Sequence, residues 1–135
     1  AFEVAQRLVS EYEARGLYPL NLTLNVRFIG SSTALLTPAY GEGLTCYAEI
    51  MFMGRPEGWA EFSSDLCRAW LEVPGALPHW SKEFEHVVDV VPLMRKALGD
   101  RRERFLAALA ATGIDPDRAF FNAVTRRVLV DDEVA

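Results

Sequence analysis

The run from Pro19 to Gly30 alternates apolar and polar residues from Leu20 to Phe28, and a period of two fits a half-buried β-strand but not a helix. Leu20, Leu22, Leu24, Val26 and Phe28 fall on one face, and Asn21, Thr23, Asn25 and Arg27 on the other, because successive strand side chains point to opposite sides. One face must pack on a core. The other presents amides, a hydroxyl and a guanidinium to something polar. A second alternating run, Leu44 to Met53, places Leu44, Cys46, Ala48, Ile50 and Phe52 on one side and Thr45, Tyr47 and Glu49 on the other. If the two strands pair, Tyr47 and Glu49 share a face with Asn25 and Arg27.

Helical spacing accounts for most of the rest. Residues 2 to 15 carry Ala5, Leu8, Val9 and Tyr12 at that spacing, with Gly16 as a stop. The segment Gly30 to Gly43 is rich in turn formers and long for a plain hairpin connection, a length often associated with function. Pro56 opens a helix with Trp59, Phe62, Leu66, Ala69 and Trp70 on its inner side, ended by Pro74 and Gly75; it is expected to cover the apolar face of the sheet. Leu77 to Lys82 has no period and reads as an extended connection. Pro92 to Leu98 forms a short helix. Asp100 and Glu103 have the spacing of a capping box ahead of Phe105, Leu106, Leu109 and Ala110, with Gly113 as the stop. Asp115 and Pro116 are expected to cap a last helix through Phe120, Val124 and Val128. The pattern predicts an α+β fold, an antiparallel β-sheet with helices packed on one face, and one domain over residues 1–135 without repeats or linkers.

Half of the 135 residues are hydrophobic, enough for a substantial core and unlike the composition of disordered chains. A net charge of −5 argues against nucleic acid as a partner. No apolar run approaches the roughly 18 residues of a membrane span. Ala1-Phe2-Glu3 lacks the layout of a signal peptide, so localisation stays open with the cytoplasm as the default expectation. Ala1 begins inside a helical pattern without an initiator Met, which suggests a domain of a longer protein. Cys46 and Cys67 have neither metal spacing nor the numbers of a disulfide framework, and are expected to be two buried thiols.

The chain has no Gly-rich dinucleotide or phosphate loop, no nucleophile elbow and no His-Glu-x-x-His. His79 and His86 lie near Glu83 and Glu85, but this loose spacing is read as surface residues and a packed His, with no metal site. Arg27 with Asn25 and Glu49 has two readings: a fork of donors gripping an oxyanion or polar substrate, or a solvated ion pair across the strands. Trp80 and Lys82 offer an indole and an ammonium to a planar ligand, a weak signal on its own. The pairs Arg101-Arg102 and Arg126-Arg127 are expected on solvated helix faces or beside carboxylates.

Three segments in order resemble the C-terminal part of the sugar-1,4-lactone oxidases, the group of gulonolactone and D-arabinono-1,4-lactone oxidases, and more distantly alditol oxidase and the covalently flavinylated cholesterol oxidases. Asn25-Val26-Arg27-Phe28, followed by Ala34-Leu35-Leu36-Thr37-Pro38 and Cys46-Tyr47, is similar to that family's Glu-x-Arg-Phe strand, Leu-Leu-Ser-Pro loop and Cys-Tyr strand. Pro78-His79-Trp80-Ser81-Lys82 is similar to its Pro-His-Trp-Gly/Ala-Lys. Asp115-Pro116 with Phe120-Phe121-Asn122 and Arg126-Arg127-x-Leu129 resembles its Asp-Pro-x-Gly-x-Phe-Leu-Asn ending.

This resemblance implies the C-terminal, ferredoxin-like cap (substrate-binding) domain of an FAD-linked oxidoreductase of the vanillyl-alcohol-oxidase type, acting on a small-molecule substrate. Its own N-terminal FAD-binding domain would be absent from this chain, leaving the cap inactive alone. The roles implied fall on Arg27 and Lys82 as catalytic and cofactor-binding residues stabilising the reduced flavin, with Asn122 as a further cofactor contact. Asn25, Tyr47, Glu49 and His79 would bind the substrate. Where the family has Glu two residues before the Arg, this chain has Asn25, which cannot ionise, and Arg118 replaces the Gly of the last motif. The substrate therefore stays open among sugar lactones, alditols and sterol-like alcohols. A non-catalytic binding module retaining the cap fold is the alternative.

Overall fold

The alternation that begins at Leu20 becomes a backbone ladder only at Leu24. The computed structural model describes residues 1–130 and orders them as α1 (Phe2–Glu13), β1 (Leu24–Gly30), β2 (Leu44–Ile50), α2 (Trp59–Leu71), α3 (Val90–Leu98), α4 (Arg101–Thr112) and α5 (Ala123–Leu129). Strands β1 and β2 form an antiparallel pair in which Asn25 faces Glu49 and Arg27 faces Tyr47. With the helices beside this sheet the fold is α+β. Beyond the bond from Met51 N to the Thr23 carbonyl at 2.9 Å, the ladder is replaced by a side chain. Asn21 Nδ2 donates to the Met53 carbonyl at 2.8 Å, and Asn21 Oδ1 accepts from Met53 N at 2.9 Å, since a carboxamide offers the same donor and acceptor as a peptide group.

Among the described residues, two apolar clusters join the elements. Ala5, Leu8 and Tyr12 of α1 meet Phe62 and Leu66 of α2 in the first, with Leu24, Ile50 and Trp59 packed against it. Tyr12 stands edge-on to Phe62 at 5.3 Å, and the Tyr12 hydroxyl donates to Asp65 Oδ2 at 2.9 Å. The second cluster gathers Leu71 from α2, Phe84 and Val87 from the following loop, Val90, Val91, Met94 and Leu98 from α3, and Val128 and Leu129 from α5. Helix α2 therefore serves both. Its packing reaches the Leu24–Ile50 end of the sheet's apolar face, whereas Phe28 and Leu44 at the other end stay 66% and 75% exposed.

Several local expectations are corrected. Asp100 adopts helical angles (φ −66°, ψ −13°) and makes no side-chain cap bond; a cap needs an extended residue to aim its oxygen at the first N–H groups. Asp100 pairs with Arg104 at 3.6 Å instead. Asp115 is buried and accepts from Ala119 N and Phe120 N, closing a turn ahead of α5 rather than capping the helix. Asn122 caps α5 from an extended backbone. Arg101 is buried rather than solvated. Its guanidinium donates to the Leu98, Ala97 and Thr37 carbonyls and lies 4.8 Å from the Tyr40 ring centre, so it ties the loop after β1 to the α3–α4 junction. Cys46 is exposed and Cys67 partly buried, because Cys46 sits on the uncovered end of the sheet's apolar face. The Cys67 thiol is pushed up to about 11 by burial.

Candidate functional site

The register of the hairpin assembles the polar face the alternation predicts. Asn25 and Glu49 are direct cross-strand neighbours, as are Arg27 and Tyr47, and side chains so placed lie within contact range. Arg27 reaches toward both: its Nη2 is 3.9 Å from Glu49 Oε2 and its guanidinium carbon 5.9 Å from the Tyr47 ring centre.

The loop between α2 and α3 brings the remaining groups. Trp80 packs against the second cluster and donates its indole N–H to the Leu36 carbonyl at 2.8 Å. Phe84 is buried in the same cluster. These two anchors hold the backbone on either side of Lys82, and Lys82 Nζ extends outward to Glu49 Oε1 at 2.9 Å. A turn closed by Lys82 N donating to the His79 carbonyl at 2.9 Å places His79 beside Tyr47, ring centres 6.2 Å apart. Ser81 approaches His79 Nδ1 through its hydroxyl at 3.0 Å.

Five of the predicted site residues, Arg27, Tyr47, Glu49, His79 and Lys82, thus form one contiguous constellation on an open sheet face. Asn25 lies on the same face, with Nδ2 donating to Met51 Sδ at 2.9 Å. Met51 is the residue the sequence reading passed over. It continues the parity of Tyr47 and Glu49 one step past the end of β2, so the alternation carried the signal. Asn122 is not brought to Glu49. Its Oδ1 accepts from Thr125 N and Thr125 Oγ1 at the start of α5.

The charges on this face are ordered by depth. Arg27 and Lys82 side chains are 62% and 58% exposed, Glu49 only 32%. The carboxylate lies beneath and between two cations. The hydrogen bond from Lys82 is the main cause that holds Glu49 below the usual carboxylate range, with the charges of Lys82, Arg27 and His79 acting in the same direction. At neutral pH the group is an anion that accepts and never donates. His86 Nε2 lies 2.8 Å from Ser63 Oγ.

Sequence comparison places this arrangement in context. The L-gulono-1,4-lactone dehydrogenases of two Mycobacterium tuberculosis strains, CDC 1551 / Oshkosh and ATCC 25618 / H37Rv, are each 33% identical to the chain over 131 residues, covering 94% of it. This chain is a distant relative of a sugar-lactone dehydrogenase. It spans 27% of the length of those relatives. No protein-family model and no solved structure matches the chain. No helix among the described residues is long and apolar enough to cross a membrane.

Proposed function

We propose that the chain is the substrate-binding cap of a larger FAD-linked oxidoreductase that oxidises a CH–OH group, and that it is inactive without the part of the polypeptide that binds FAD. One observation carries the reading: Arg27 and Lys82, far apart in sequence, converge at a single carboxylate on an open polar face.

The donor set suits the electron-rich edge of a flavin ring. Both cations are more than half exposed, and each keeps N–H groups beyond those directed at Glu49, since a guanidinium has five and an ammonium three. FAD, when bound, supplies the acceptor for the hydride that leaves the carbinol carbon. With FAD bound, Arg27 and Lys82 would stabilise the negative charge of the reduced ring, as cations already directed at that face before the reaction. Tyr47 and His79 add aromatic surface to this open face, and Asn25 offers hydrogen bonds without acid–base chemistry. Glu49 completes the polar face. Asn122, held at the start of α5 with its oxygen engaged in the cap, would add only its amide nitrogen to the cofactor contacts, from outside this constellation. Sugar lactone, alditol and sterol-like alcohol are the substrate classes, and L-gulono-1,4-lactone is the first to test.

The test uses the full-length protein that carries this segment. Its visible spectrum should show an oxidised flavin band that bleaches anaerobically with the substrate. Arg27→Ala should retain flavin but be reduced about 10²–10³-fold more slowly, as when one preorganised charge stabiliser is lost. An unchanged reduction rate removes Arg27 from the site. A second reading, a non-catalytic module of the same fold, is favoured by the neutral Asn25 and its bond to Met51; it predicts that no alcohol or lactone bleaches the protein.

A further inference from the structure

Resting on that reading, we propose that Glu49 is a positioning residue rather than a substrate contact: it joins Arg27 of β1 to Lys82 of the α2–α3 loop and sets the charge that the pair presents at +1.

Three features of the geometry lead there. First, the two carboxylate oxygens are divided, Oε1 to Lys82 at 2.9 Å and Oε2 toward Arg27 at 3.9 Å, so one side chain bridges two elements. Second, Glu49 is the least exposed of the three. A ligand approaching the face meets the cations before the anion. Third, Trp80 and Phe84 fix the backbone around Lys82 but not its head, which rides on a flexible four-carbon stem. The hydrogen bond to Glu49 is what aims the ammonium.

The charge count follows. Two cations alone would repel one another on an open face and would offset two negative charges. With Glu49 between them the excess is a single positive charge, matched to a ring that gains a single negative charge on accepting a hydride. Glu49 thereby serves two ends: it orders Lys82 before the cofactor is engaged, and it prevents over-stabilisation of the reduced ring.

The experiment compares Glu49→Gln with the parent full-length protein. Glutamine keeps the size and one oxygen acceptor but removes the charge. Lys82 should be acylated several-fold faster by an amine reagent, read by peptide mass spectrometry on protein stripped of cofactor. The midpoint potential of the bound flavin should rise, because the reduced form then faces two uncompensated cations. Glu49→Asp should restore the parent potential in part. A role confined to stability would leave both readouts unmoved. Flavin present with an unmoved potential and unmoved Lys82 labelling in Glu49→Gln overturns the assignment of Glu49 alone. Absence of flavin from the full-length protein overturns the proposed function, and the charge-matching role of Glu49 with it.

Discussion

At Arg118 the backbone takes a φ of 54°, in the left-handed region that costs an L-residue about 1–2 kcal/mol relative to glycine. The resemblance to lactone oxidases has Gly at this place, a residue that adopts such a φ without steric cost; here Arg118 ends the turn closed by its N–H donating to the Asp115 carbonyl. Arg118→Gly should raise stability by about 0.5–1 kcal/mol, the relief of strain less the added flexibility of the unfolded chain, read as a shift of the urea midpoint. The partners of Arg118 survive the change because Arg126 and Phe121 both bond its carbonyl. Tyr12 makes a second residue-scale prediction. Burial, with the hydrogen bond to Asp65 next in weight, pushes its phenol up to about 12 from 10. A group whose pKa is raised on folding contributes stability that is full below its unfolded value and is lost as pH rises through the folded one. Alkaline titration followed by ultraviolet absorbance should therefore show one tyrosine ionising near 12, and stability falling between pH 10 and 12. Tyr12→Phe should flatten that fall.

Among elements, the hairpin was the most legible and the loop that completes the site the least. Period-two alternation foretold which side chains of β1 and β2 share a face, and Asn25, Arg27, Tyr47 and Glu49 do share it. The point where the ladder starts was not legible, because alternation persists through Leu20 and Leu22 while Asn21 takes over the pairing with its side chain. Nor could spacing place Lys82 on Glu49: the tie depends on Trp80 and Phe84 both turning into the core, a tertiary choice made by two aromatics in a segment without period. Beyond the weak pairing of Trp80 with Lys82, the resemblance was what pointed to Lys82. Capping signals erred for a related reason. Asp100 and Asp115 are good cap residues by type, but helical angles at one and a buried turn at the other redirect their oxygens. The Asn21 clamp predicts its own cost. Asn21→Ala removes two hydrogen bonds of about 0.5–1.5 kcal/mol each, so unfolding free energy should drop by about 1–3 kcal/mol, with amide exchange accelerating at Met53, whose N–H loses its acceptor. Protection unchanged at Met53 would show that the clamp does not form in solution.

For the described residues as a whole, stability depends on how two apolar clusters are joined. Helix α2 places Phe62 and Leu66 in the first and Leu71 in the second, while Cys67, one residue beyond Leu66, packs against the second. A helix propagates its hydrogen bonds cooperatively. Losing either cluster would therefore strip half of the support from the same element and leave it too weakly buried to persist. Phe62→Ala should cost about 3–5 kcal/mol and Met94→Ala about 2–5 kcal/mol, the range for emptied core sites, yet both should move one shared transition. The indoles make this measurable. Trp59 and Trp70 pack against the first cluster and Trp80 against the second, so variants retaining one indole at a time report each cluster separately. Their fluorescence transitions should coincide with each other and with far-ultraviolet circular dichroism in both mutants, the signature of all-or-none unfolding. If Met94→Ala instead lowered the midpoint reported by Trp80 while the Trp59 signal kept its own, α2 would not couple the clusters and the first would stand without the second. The polar face links to this coupling through Lys82, held by the second cluster's anchors, and Arg27, on the strand that meets the first at Leu24. Coincident transitions would thus mean that the two cations keep their spacing only while the whole fold persists.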